Sequence, residues 1–273
     1  MFALTRALAR KGVHGGAASE FFVQNRAHII ADLRANTNDK SLAGCVDARI
    51  RPLVELINSD ALPQYVTSSS CSGRLSLFHR GKCEVGVEAA ATHAERKRGS
   101  FGRGMLFQSH DPLPDVAAAV QQRLLPALAA HEAWRATLPT TPLLYDTEVV
   151  QLKFEPMIVH VLCADVDAAS ALLQCASEAA QTTSGILSCS RGTAAHRKIT
   201  CCLTSPVATD VHLFSEGKWM LNSTDFGGAG GTMWSYYLTR AVEHINELFK
   251  ENERRTERLM REITRRLIEK GRS

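Results

Sequence analysis

Strand-forming segments of this chain mostly follow one another directly, with short turns between them. In the first half, strands at 64–70 and 74–79 flank Ser72-Gly73, which predicts a hairpin. The second half contains strand patterns at 148–154, 157–163, 185–189, 198–204, 211–214 and 218–221. Because strand pairs outnumber strand–helix–strand units, the sequence predicts an α+β fold with a mixed or mostly antiparallel sheet.

Helix-forming segments flank these strands. Apolar residues recur at helical spacing in 20–35, in 46–57, in 114–136 around Pro126, and in 165–181, where Asp165 suits an N-cap. A long C-terminal helix is predicted from about Trp234, apolar at first and then charged. The polar, glycine-containing segments 80–103 and 225–231 are predicted to be irregular.

Domain organisation follows from length and from the N-terminal composition. Residues 20–273 are predicted to form a single α+β domain, with a candidate sub-boundary at the proline-containing linker 137–147.

Residues 1–19 carry Arg6, Arg10 and Lys11 without an acid, which is typical of a mitochondrial transit peptide. The alternative is a disordered extension of a cytoplasmic protein. No apolar run approaches the roughly 20 residues of a membrane-spanning helix, so no membrane partner is expected.

Charge is unevenly distributed along the chain. The formal net charge is +4, yet segments 1–19, 79–103 and 250–273 carry +3, +3 and +4, which leaves −6 on the remainder. Segregated basic charge indicates a polyanionic partner or a targeting segment, and solvated ion-paired surface is the alternative.

The eight cysteines follow no metal-binding or disulfide framework. There is no CxxC pair and no Cys/His quartet at zinc-ligand spacing, and several thiols lie in apolar runs such as 159–163. Reduced thiols of an intracellular protein are therefore predicted, and no metal is expected.

The most informative segment is the run of hydroxyls at 65–75. Hydroxyl side chains, exposed backbone N–H groups and the guanidinium of Arg74 beside a tight turn suit a carboxylate or phosphate ligand. The alternative is a solvated turn rich in small residues.

Six sequence blocks along the chain resemble one family. Thr67–Arg74 reads [ST]-x-S-S-C-x-G-R, which resembles the signature of the tRNA wybutosine-synthesizing protein 3 family. The other matching blocks are Asp39-Lys40-Ser41 with Val46-Asp47, Ser109-His110-Asp111, 152–156 with His160, Ser184-Gly185, and the terminal helix through Asn246 and Asn252. The similarity covers about residues 20–260.

This resemblance implies a specific activity. Members of the family use S-adenosyl-L-methionine to methylate a ring nitrogen of a tricyclic guanosine derivative 3′ of the anticodon in tRNA-Phe. The expected reaction is N4-methylation of the 7-aminocarboxypropyl-demethylwyosine base, a tRNA modification step of wybutosine biosynthesis. The implied partner is the tRNA-Phe anticodon stem-loop, and a monomer is expected. The sequence lacks the GxGxxG of a Rossmann methyltransferase, so another kind of donor site is expected.

The resemblance also implies site residues. His110 is expected to be the proton acceptor or a base-edge contact, and a structural histidine is its alternative. The complete expected set is catalytic His110, Ser109 and Cys71; donor-binding Thr67, Ser69, Ser70, Gly73, Arg74, Ser184 and Gly185; and substrate-binding Lys40, Arg74, Glu155 and His160. For the last group the alternatives are a solvated Lys40, a turn residue at Glu155, and a core or supporting role for His160, which its apolar strand favours over direct chemistry.

Two other function classes compete with the methyltransferase. Cys71 with His110 and Asp111 has the residue types of a thiol hydrolase, although such a cysteine usually begins a helix rather than following a strand. A non-catalytic tRNA-binding module is the second alternative. The chain departs from the family pattern at Met105, Thr183 and Thr204, where a Trp, an Asn and an Arg are common, and weaker tRNA recognition is one expected consequence.

Overall fold

The computed structural model describes residues 20–35, 46–80, 104–136, 149–190, 198–215, 217–221 and 232–270. The predictions for residues 1–19, Lys40, 81–103, 137–147 and 225–231 lie outside this part of the chain. The described helices are α1 Glu20–Ala35, α2 Arg51–Ile57, α3 Val116–Ala119, α4 Leu125–Arg135, α5 Val166–Glu178 and α6 Thr232–Ile263. The described strands are β1 Tyr65–Cys71, β2 Arg74–Arg80, β3 Met105–Ser109, β4 Val149–Glu155, β5 Ile158–Cys163, β6 Gly185–Cys189, β7 Ile199–Thr204, β8 Thr209–Ser215 and β9 Lys218–Trp219.

The chain groups into two compact units, each containing one sheet. Unit 1 comprises residues from 1–73, 156–207 and 251–273, and unit 2 comprises 74–155 and 208–250. The chain therefore passes between the units after Gly73, Glu155, Val207 and Lys250. None of the described helices has the length and apolar character needed to cross a membrane.

Unit 1 contains a four-stranded antiparallel sheet, sheet A, in the order β1-β5-β7-β6. Its main core forms where alternate residues of the strands meet α2, α5 and the end of α6. Because successive strand residues point to opposite faces, only every second position contributes to this core. Its buried members include Leu53, Ile57, Val159, Val161, Leu172, Cys201, Leu203, Leu259 and Ile263.

The other face of sheet A is partly covered by α1. Phe22 on this helix packs with Val66 and Leu162 in a smaller apolar cluster. Arg26, which is only 8% exposed, donates hydrogen bonds to the backbone carbonyls of Tyr65, Asn58 and Ser59. These bonds satisfy a buried guanidinium and fix α1 to the start of β1.

Unit 2 contains a five-stranded antiparallel sheet, sheet B, in the order β3-β2-β4-β8-β9. Phe154 on β4 packs edge-on against Phe249 on α6, with ring centroids 4.8 Å apart. A π-helical turn, Val120–Leu124, joins α3 to α4, and the N–H of Leu125 donates to the carbonyl of Val120. This turn ends two residues before Pro126, which has no N–H for the regular helical ladder, so the proline is a local cause of the irregular turn.

The structure confirms the α+β class but corrects the predicted hairpin. Strands β1 and β2 do not pair: β1 pairs with β5 in sheet A, and β2 pairs with β3 and β4 in sheet B. Ser72-Gly73 therefore connects two sheets. Two further details differ from expectation, since the second helix begins only at Arg51 and the strands form two sheets rather than one.

Candidate active site

Four side-chain positions form a row across sheet A in unit 1. Ser69 pairs with His160, His160 pairs with Cys202, and Cys202 pairs with Gly185. The alternate residues Val159, Val161 and Cys201 belong to the main core. The row of Ser69, His160, Cys202 and Gly185, which we call the sheet A row, therefore points to the opposite face.

A bulge in β1 brings two serines to His160. The pairing register shifts between Thr67 and Ser69, which adds Ser68 as an extra residue. The Ser69 hydroxyl lies 2.7 Å from Nδ1 of His160, and the Ser68 hydroxyl donates to the His160 carbonyl oxygen at 3.3 Å. Ser69 thus fixes the orientation of the imidazole ring, while Ser68 contacts only its backbone.

The far end of the row contains a gap. Apart from its chain neighbours, no atom of the described residues would lie within 4 Å of a Cβ atom added at Gly185. The preceding residue, Ser184, exchanges two hydrogen bonds with the backbone of Thr204, and the Thr183 hydroxyl donates to the same Thr204 carbonyl oxygen. Thr183 and Thr204, two of the departures from the family pattern, are therefore neighbours in the structure.

The turn after β1 is held by Asp47 and Asn252, neither of which is among the predicted site residues. The carboxylate of Asp47 accepts hydrogen bonds from both the N–H and the hydroxyl of Ser72, at 2.9 and 3.1 Å. The amide of Asn252 donates to the Ser72 carbonyl and accepts from the N–H of Met157, both at 2.9 Å. Both residues lie in sequence blocks that resemble the family, and this resemblance is the signal by which they could have been predicted.

Other predicted donor-binding residues near this turn have structural partners. Thr67 is buried, and Asn58 bonds to both its N–H and its hydroxyl at 2.8 Å. Ser70 pairs with Val159 and so faces the same side as the core. Gly73 has a φ of 101°, a conformation that favours glycine.

Three thiols of unit 1 have a raised pKa. Burial raises the pKa of Cys202, and it raises the pKa of Cys175 to about 11. The buried thiol of Cys163 donates to the sulfur of Cys201 at 3.7 Å, and this hydrogen bond together with burial raises the pKa of Cys163. Cys71 is half-buried at the end of β1. The hydrolase alternative favours a cysteine at the start of a helix, and Cys71 does not lie at one.

Unit 2 contains a second cluster of predicted residues at one end of sheet B. Arg74 pairs with Glu155 across β2 and β4, and its Nε donates to the Glu155 carboxylate at 2.5 Å. Ser109 lies opposite Leu75, the residue after Arg74. The strand register therefore brings Arg74, Glu155 and Ser109 to the same end of the sheet.

His110 follows β3 in a tight local turn. The Ser109 hydroxyl donates to the Asp111 carbonyl at 2.7 Å and accepts from the Asp111 N–H at 3.2 Å. Asn246 on α6 exchanges two hydrogen bonds with the backbone of Leu113, at 2.9 and 3.0 Å. These contacts fix the path of the chain on both sides of His110.

The comparison with protein families decides the identity at family level. The family described as Methyltransferase TYW3 matches residues 24–265. The chain belongs to this family. The matched range contains both the sheet A row of unit 1 and the Arg74–Glu155 cluster of unit 2, and the resemblance drawn from the motifs is confirmed.

Two individual relatives and one solved structure agree with this family assignment. The chain is 31% identical to tRNA wybutosine-synthesizing protein 3 of Saccharomyces cerevisiae over 172 residues, 62% of this chain and 59% of that protein. It is 28% identical to tRNA wybutosine-synthesizing protein 2/3/4 of Arabidopsis thaliana over 236 residues, 86% of this chain and 20% of that protein. The chain thus spans less than two thirds of the length of each of these two relatives. The PH1069 protein from Pyrococcus horikoshii shares the fold, with a TM-score of 0.58 and 19% identity, over 91% of this chain and 96% of that chain.

Proposed function

We propose that this chain is a tRNA methyltransferase of wybutosine biosynthesis. It uses S-adenosyl-L-methionine to methylate N4 of the 7-aminocarboxypropyl-demethylwyosine base, 3′ of the anticodon in tRNA-Phe. The observation that carries this proposal is the Methyltransferase TYW3 match over residues 24–265, which spans both units. The names of the yeast and plant relatives support the choice of pathway.

The residues of the sheet A row fit a flat, polar ligand. The gap at Gly185 leaves room for a ring to approach the strand backbone, and Ser69 and His160 offer hydrogen-bonding groups on the same face. Ser184 and Gly185 are accordingly proposed to contact the methyl donor. When bound, the donor supplies an electrophilic methyl group on a sulfonium.

Because methyl transfer needs little covalent help, the main task of the protein is alignment. In one tautomer, Nδ1–H of His160 donates to the Ser69 hydroxyl and leaves Nε2 as an acceptor toward a base edge. We assign His160 to substrate binding and Ser69 to its orientation. In unit 2, Arg74 is proposed to bind a carboxylate or phosphate with Glu155 positioning its guanidinium, and His110 is proposed to accept the proton.

The test is methyl transfer by the purified full-length chain to tRNA-Phe that carries the tricyclic base one methyl short. We expect transfer from S-adenosyl-L-methionine to this tRNA and none to tRNA with an unmodified guanosine. Ser69→Ala should lower the turnover rate by up to about 100-fold, since the imidazole loses its orienting partner. Ser68→Ala, a change of the adjacent exposed serine that contacts only backbone, is the matched control and should retain activity.

The same preparation separates the alternative functions. A thiol hydrolase would lose nearly all turnover in Cys71→Ser, whereas a methyltransferase retains much of its transfer rate. A tRNA-binding module would bind tRNA in calorimetry and show no affinity for S-adenosyl-L-methionine. Either of these results contradicts the proposal.

A further inference from the structure

A stripe of exposed apolar and aromatic side chains runs along the start of α6 in unit 2. Met233, Tyr236 and Tyr237 are 58%, 68% and 38% exposed, and the Arg240 side chain is 66% exposed. Their spacing of three, four and seven residues places them on one side of the helix. The buried side of the same segment carries Trp234, Leu238 and Val242. We call Met233, Tyr236, Tyr237 and Arg240 the tyrosine stripe.

One ring of the stripe, that of Tyr237, lies against buried aromatic residues. The ring of Tyr237 packs edge-on against buried Trp234 at 6.4 Å, and Trp234 packs against Trp219 of β9 at 5.9 Å. Trp219 in turn donates its indole N–H to Glu132 on α4 at 2.8 Å. An aromatic surface that is already fixed in this way loses little conformational entropy when a ligand stacks on it.

The cation of the tyrosine stripe is Arg240. Lys218 lies in the segment that meets α6 through the Trp219–Trp234 contact, and the carboxylates Glu216 and Glu243 lie close to these two cations in the sequence, so an anionic partner would be recognised by Arg240 itself rather than by an excess of positive charge. Arg240 is paired with Glu243, one turn further along the helix, through an exposed contact of 2.5 Å. Exposed pairs of this kind contribute little free energy, so phosphate can replace the carboxylate at low cost.

We propose that the tyrosine stripe is a stacking surface for unpaired bases of the tRNA substrate, with Arg240 contacting the adjacent phosphate. Aromatic rings beside a cation are the usual means by which proteins hold single-stranded RNA, because each base has a face that can stack. This inference rests on the proposed function for the identity of the RNA. It adds a surface on α6 that lies outside the sheet A row and the Arg74–Glu155 cluster.

The test measures the affinity of the full-length chain for tRNA-Phe by fluorescence anisotropy at several salt concentrations. Tyr236→Ala should weaken binding about 5- to 100-fold without changing the salt dependence, because stacking releases no counterions. Arg240→Ala should lower the slope of log affinity against log salt by about 1. Tyr236→Phe retains the ring and should bind within about twofold of the unaltered chain. Leu187→Ala, at a 60% exposed apolar residue of β6 in unit 1, is the control and should also bind normally.

Two results would overturn the inference. One is unaltered tRNA affinity in Tyr236→Ala, and the other is a dimer in sedimentation that Tyr236→Ala dissociates, which would assign the stripe to a second copy of the chain. Retained affinity for S-adenosyl-L-methionine shows that each variant is folded. If the unaltered chain transfers methyl groups and Tyr236→Ala binds tRNA normally, only the stacking surface fails. If Tyr236→Ala weakens tRNA binding but the unaltered chain transfers no methyl group, the proposed function fails and the stacking surface stands.

Discussion

At the scale of single residues, two glycines serve different purposes. Gly73 has a φ of 101°, where an L side chain is strained, so this glycine shapes the turn between the two sheets. Gly185 lies in the extended strand β6, and a Cβ there would meet none of the described residues within 4 Å apart from its chain neighbours. The packing of the described residues therefore does not require a glycine here, which agrees with the donor contact proposed for Gly185.

Substituting each glycine by alanine separates these two roles. Gly73→Ala should lower the free energy of unfolding by at least about 1–2 kcal/mol, the cost of a left-handed backbone for an L residue. Gly185→Ala should leave stability unchanged or raise it by up to about 1 kcal/mol, because alanine restricts the unfolded chain more than glycine does. Urea unfolding measures both values, and calorimetry should show weaker donor binding by Gly185→Ala. Normal donor affinity in that variant would remove Gly185 from the proposed site.

At the scale of secondary-structure elements, α6 holds the turn that follows β1. Asn252 bonds with both its amide groups to backbone atoms of Ser72 and Met157, and its side chain is only 5% exposed. Loss of this side chain would leave a buried carbonyl and a buried N–H without their partner, and each such group costs about 1–3 kcal/mol. Since Ser72 lies between Cys71 and Gly73, the same contact positions the motif that first indicated the family.

Asn252→Ala should therefore lower the free energy of unfolding by about 2–4 kcal/mol and reduce methyl transfer even at temperatures where the variant stays folded. Asn25→Ala is the control, because the half-buried Asn25 makes one hydrogen bond within its own helix and should cost less than about 1 kcal/mol. Equal stability losses in the two variants would contradict this account of α6.

The same elements show what sequence reasoning can and cannot predict. Most elements were predictable because their signals are local: the side chain of Asp165 caps α5 at 2.7 Å from the Ala168 N–H, and Pro126 follows a π-helical turn. Pairing was less predictable. Ser72-Gly73 has the composition of a hairpin turn, but the actual partner of β1 is β5, about ninety residues away, and no local pattern encodes that choice. The sheet A row was missed for the same reason, since it exists only once β1, β5, β7 and β6 are in register.

At the scale of the whole molecule, the two units distribute the predicted residues into two clusters. Unit 1 carries Ser69, His160 and Gly185 on one face of sheet A, and unit 2 carries Arg74, Glu155 and Ser109 at one end of sheet B. The family match covers both units. The family could be predicted from the sequence motifs, whereas the two clusters become visible only in the folded structure.

The most direct measurement is nucleoside mass spectrometry of tRNA-Phe from cells that lack this chain, with mitochondrial and cytosolic tRNA analysed separately. We predict that a tricyclic nucleoside one methyl short accumulates, and that the fully modified nucleoside returns when the chain is restored. The tRNA pool in which the change occurs tests the targeting role predicted for residues 1–19. An unchanged nucleoside profile in both pools would contradict the proposed function.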